Sequence, residues 1–113
     1  MSDDIISKSV PREKAFYFFT SIGNYTGESA SSLKEFMEKI NDVNAKSLEF
    51  HISRGDFEKW INEVLEYREL AEEIKKVQKI NLSGDVLRSQ LYTIVSEHYK
   101  TLSSRLGEKP RFL

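Results

Sequence analysis

The chain has 113 residues, 39% hydrophobic and 31% charged, which suits one soluble domain with a single modest core. Its 17 basic and 18 acidic side chains leave a net charge of −1, without the basic footprint of a nucleic-acid binder, so a nucleic-acid partner is not expected. With no cysteine, disulfides, thiol catalysis and thiolate metal sites are excluded together, and no apolar run approaches the ~18 residues that cross a membrane.

Residues 1–11 read as a flexible tail. It starts acidic and lacks the long apolar stretch of a secretion signal, so a cytoplasmic location is expected. Absent Cys, few Gln and abundant Lys and Glu lean toward a thermophilic source. Phe16, Tyr17, Phe18 and Phe19 form the largest apolar concentration in the chain and match neither helical nor strand amphipathicity. A short buried helix is the expectation there, with a strand as the alternative. The stretch from Gly23 to Ser29 reads as a loop.

Ser32 and Glu35 make a capping box, and Leu33, Phe36, Met37 and Ile40 follow on one helical face. Leu48, Phe50 and Ile52 alternate as in a strand, while Leu48 and Ile52 also suit a helix. Because no strand partner is evident, a helix ending near Arg54 is preferred, with Gly55 as a left-handed cap. Asp56 is expected to cap the next helix with its carboxylate. Phe57, Trp60, Ile61, Val64 and Leu65 fall within an arc of roughly 140°. Leu70, Ile74 and Val77 lie nearly opposite if the helix continues, and this phase change predicts a break near Glu66-Tyr67-Arg68. A last helix is expected from about Val86 to Leu106, its apolar arc spanning roughly 160°. That width predicts a central helix or one that meets a second subunit along its tyrosine side. Gly107 and Pro110 should end it, leaving residues 107–113 as a second tail.

Few residues offer chemistry. The two histidines, His51 and His98, lack the spacing of a zinc pair, so no metal and no cofactor are expected. His98, in the middle of its helix's apolar arc, reads as a hydrogen-bonded core residue. His51, Arg54, Asp56 and Trp60 lie within ten positions. Asp56 orienting His51 would make a general acid–base group, and the cluster is the candidate ligand-binding site. A joint between two helices accounts for Gly55, Asp56 and Trp60 without any ligand, and Arg54 then pairs with Asp56 or bonds terminal carbonyls. Arg54-Gly55-Asp56 is too short to read as an adhesion tag.

The segments FYFFTSIGNYTG, SLKEF, SLEFHISRGDFEKWI and ELAEEI, in that order, resemble an uncharacterised family of small archaeal proteins with related segments in bacterial proteins. The resemblance covers about residues 11–80, is most specific around His51, Arg54, Asp56-Phe57 and Trp60-Ile61, and leaves the final helix particular to this chain. Family members usually carry Val-Leu-Gly-Asp where this chain has Val64-Leu65-Glu66-Tyr67. The resemblance implies no known activity or cofactor.

The expected fold is all-α, a compact bundle of about five helices over residues 12–106. The expected function is a non-catalytic protein-interaction or regulatory module that self-associates as a homo-oligomer or binds another protein. The alternative is a small-ligand or enzymatic pocket around His51, Arg54 and Asp56.

Overall fold

A computed structural model describes residues 3–108. The chain runs through α1 (Asp3–Ser7), a 3-10 turn (Arg12–Lys14), β1 (Phe16–Ser21), β2 (Asn24–Ala30), α2 (Leu33–Asp42), α3 (Ala45–Arg54), α4 (Asp56–Glu63), α5 (Arg68–Lys79) and α6 (Gly84–Glu108). The all-α expectation is therefore wrong. The domain is α+β, with six helices and one antiparallel hairpin among the described residues.

The hairpin is what the sequence concealed. Phe16 to Phe19 form a strand, not a short helix, and most of the expected loop after Gly23 is its partner. Phe16 and Phe18 point into the core, while Tyr17 and Phe19 are half-buried on the opposite face. The period of two is present but invisible, because both faces carry aromatics. Across the hairpin Tyr25 packs on both outer rings, with centroids 5.9 Å from Tyr17 and 5.4 Å from Phe19. The register jumps between Tyr17↔Ser29 and Phe19↔Tyr25, so β2 carries extra residues there, among them Gly27 at φ 91°. Thr26 fills the gap: its hydroxyl donates to the Phe18 carbonyl at 2.8 Å and accepts the Glu28 amide at 3.1 Å.

Two strands alone are marginal in water, so helices must support them. α3 packs on β1 and α2 on β2, and Glu28 Oε1 accepts from Lys39 Nζ at 2.6 Å. The Ser32 cap forms as expected, Oγ accepting from the Glu35 amide, while Glu35 Oε1 reaches past the cap residue and accepts from the Ser31 amide. Residues 48–52 are helical, and Gly55 ends α3 in the left-handed region at φ 77°.

The break near Glu66 is real. α4 stops at Glu63 and α5 starts at Arg68, with the Tyr67 amide reaching back 3.0 Å to the Ile61 carbonyl. Glu66 makes the turn at φ 59°, a conformation that costs a side-chain-bearing residue about 1–2 kcal/mol. Gly adopts this conformation freely but is floppier when unfolded. Glu66→Gly is therefore expected to raise stability by about 0.5–1 kcal/mol, read from the urea midpoint. The Lys8–Glu66 pair, 3.7 Å long with Glu66 76% exposed, adds too little to reverse that sign.

α6 is the spine, meeting α1, α2, α3 and α5. Leu87, Leu91, Val95 and Leu102 are fully buried along it, and Tyr92, Ile94 and Tyr99 pack at the margins. Its wide apolar arc is thus used within the chain. Arg88 ties it to the end of α2, one Nη donating to the Ile40 and Val43 carbonyls at 2.8 Å each. Residues 3–7, expected as part of a tail, form α1 with Ile5 buried in the core. α6 runs through Gly107 to Glu108, and the rest of the expected second tail, 109–113, lies outside the described residues.

Candidate ligand-binding cleft

An open cleft of about 470 Å³ lies between the hairpin, α3 and α4. All four candidate residues, His51, Arg54, Asp56 and Trp60, line it. Its walls are Phe16, Tyr17 and Phe19 from β1, Phe50 from α3, and Trp60 and Val64 at and beyond α4. Ile22, in the hairpin turn, overhangs it at 84% exposure. Arg54, Lys59 and Glu63 supply charge at the rim.

His51 is buried at 4% exposure and both its ring nitrogens are committed. The Phe19 amide donates to Nε2 at 2.9 Å, so Nε2 is the unprotonated nitrogen. Nδ1 then carries the proton and donates to Asp56 Oδ2 at 2.8 Å. The same Oδ2 accepts Arg54 Nε at 3.0 Å. Burial pushes the imidazole below its ordinary 6.5, against the opposing pull of the hydrogen bond and charge of Asp56. The Phe19 amide points away from β2, and His51 gives it the acceptor that a third strand would give.

Asp56 does not cap α4 with its side chain, as was expected of it. Gly55 holds the cap position without any side-chain bond, and the Asp56 carboxylate turns to His51 and Arg54 instead. It still sits in the first turn of α4, where the helix dipole favours its charge. Trp60 is buried at 7% exposure, and its indole N–H donates to the Lys14 carbonyl at 2.8 Å, which fixes the approach to β1. Arg54, whose side chain is half-exposed at 50%, lies with its guanidinium carbon 5.1 Å from the Phe50 ring centre.

The hairpin fold, the cluster around His51 and the break after α4 thus belong to one domain unit, and a family comparison covers it. The Family of unknown function (DUF5752) matches residues 11–109. The chain belongs to that family. The DUF5752 match takes in α6 as well, so the last helix is part of the family's domain and not, as expected from sequence, an addition particular to this chain. No curated protein and no solved structure matches the chain.

The sequence pointed to the polar groups of the cleft and to Trp60, but not to the aromatic side chains that complete its wall. Phe19 and Phe50 are brought together only by the hairpin packing on α3, which no local pattern announces. Lys59 was legible in principle, since it precedes Trp60 and follows Arg54 by five residues. His98 is hydrogen-bonded as expected, Nδ1 lying 2.6 Å from the Tyr67 hydroxyl, but it is half-buried and not a core residue. Among the described residues no group of three or more His, Asp or Glu side chains is placed to hold a metal, and no helix is long and apolar enough to cross a membrane.

Proposed function

We propose that this protein is a non-catalytic binding module whose cleft takes a small amphipathic ligand. The observation that carries this is the cleft itself. Its volume of about 470 Å³ falls within the roughly 300–1,000 Å³ of small-molecule sites, and a few polar groups converge on a largely aromatic wall. Binding is favoured over acid–base catalysis because His51 has no nitrogen to spare: moving a proton at Nε2 would break its bond to β1.

The neutral dye N-phenyl-1-naphthylamine tests this. Trp60 is the single tryptophan and forms part of the cleft wall, so a dye bound there quenches its emission. Saturable quenching is expected, weakened about tenfold or more in Val64→Glu, which puts a charge on the apolar wall. Absence of saturable quenching, or equal binding by Val64→Glu, overturns the proposal.

A second reading, self-association through the same face, draws on Ile22, whose 84% exposure at the hairpin turn is high for an isoleucine. Sedimentation equilibrium separates the two. A dimer that dissociates when the dye binds supports self-association, and a monomer at all concentrations leaves the cleft to a ligand.

A further inference from the structure

We propose that the cleft selects organic monoanions with a small aromatic or apolar body, and that Arg54 reads the charge. This rests on the cleft being a ligand site and names what it takes. A surface arginine normally loses much side-chain freedom when it engages a ligand. Arg54 has lost it already. Its Nε is held by Asp56 Oδ2 at 3.0 Å, that oxygen is held by buried His51 at 2.8 Å, and the guanidinium lies over the Phe50 ring. The Nε bond occupies one edge of the fork. The terminal Nη groups have no hydrogen-bond partner among the described residues, and the two oxygens of a carboxylate, or two of a sulfonate's three, can accept from such a fork together.

Lys59 adds a second cation on the same rim. It is exposed and has no ion-pair partner among the described residues. Two acidic groups also line the cleft. Asp56 offsets part of the Arg54 charge through Oδ2, which also accepts from His51, so recognition rests on the N–H groups of the fork that Asp56 leaves open. Glu63 is exposed one helical turn from Lys59, so the two screen one another and the selectivity falls mainly to Arg54. An apolar body lodged against Phe19, Phe50 and Val64 then places its anionic group at the rim, where Arg54 is preorganised.

Two dyes that differ only by one sulfonate test this: 8-anilinonaphthalene-1-sulfonate and the neutral N-phenyl-1-naphthylamine. In Arg54→Gln the affinity for the sulfonate is expected to fall about tenfold while that for the neutral dye stays within about twofold. Lys59→Gln should weaken the sulfonate by about threefold. In the unmodified protein, raising salt from about 50 to 500 mM should weaken the sulfonate and spare the neutral dye, a measurement independent of any folding defect in a variant. Equal losses for both dyes in Arg54→Gln, or no salt dependence, overturn the anion selectivity while the cleft reading stands. Failure of both dyes to bind the unmodified protein overturns the cleft reading and this proposal with it.

Discussion

Replacing His51 by alanine is expected to cost about 3–5 kcal/mol of folding stability, a large part of the roughly 5–15 kcal/mol typical of a domain. Two losses combine. The imidazole packs against aromatic rings, with centroids 4.8 Å from Phe16, 4.9 Å from Phe50 and 5.5 Å from Phe57, so its removal leaves a cavity that these large side chains fill poorly. The Phe19 amide also loses its acceptor, and a part-buried amide without a partner costs about 1–3 kcal/mol. His51→Gln, whose side-chain oxygen can accept from the same amide, should recover part of the loss. Urea unfolding followed by circular dichroism measures all three proteins; a cost below about 1 kcal/mol for the alanine variant would show that His51 does not hold the hairpin.

The same residue sets a pH dependence whose sign follows from its environment. Burial holds folded His51 below the ordinary 6.5, so in the unfolded chain it takes up a proton at a pH where the folded protein leaves it neutral. Its contribution is complete above pH 6.5 and is lost as pH falls through the lower folded value. The limiting slope is about 1.4 kcal/mol per pH unit. The structural reason is that a second proton would have to go on Nε2, against the N–H of Phe19. His51→Gln should lack this slope between about pH 6.5 and 5, above the range where most carboxylates titrate.

His51 also explains why the fold was only partly legible. Helices α2 to α6 follow local rules: a cap at Ser32, a left-handed Gly55, a phase change at Glu66 and a long apolar arc after Gly84. The hairpin does not. Its inner face meets the core and its outer face the cleft, so Phe16 to Phe19 show no polar alternation. Residues 48–52 are helical although the chain does contain strands, and the outer edge of β1 is left without a third strand to pair its backbone. There a histidine from α3, 32 residues along the chain, supplies the missing acceptor. The cluster of His51, Arg54 and Asp56 was visible as residue types at close spacing. That Asp56 would serve the other two and not the helix end depends on where β1 places the imidazole, which is tertiary information.

Phe16 and Phe19 should separate stability from binding. They are the same residue type on the same strand and both line the cleft, but they point from opposite faces of β1. Phe16, 6% exposed, is the hub of the core, with ring centres 4.9 Å from Phe18, 5.2 Å from Phe57 and 5.7 Å from Trp60. Phe16→Ala is expected to cost about 3–5 kcal/mol, because a cavity at the junction of four elements has no flexible neighbour to collapse into it. Phe19 is half-buried, with Tyr25 at 5.4 Å and His51 at 6.4 Å as its ring neighbours. Phe19→Ala keeps the backbone amide that His51 needs and should cost about 1 kcal/mol, while dye affinity falls about tenfold as the apolar wall disappears. Urea midpoints and dye titrations on the two variants give opposite rankings if the outer face of β1 is held exposed for a ligand. Equal stability costs, or unchanged dye binding in Phe19→Ala, would instead make β1 a purely structural strand and remove the aromatic wall from the proposed site.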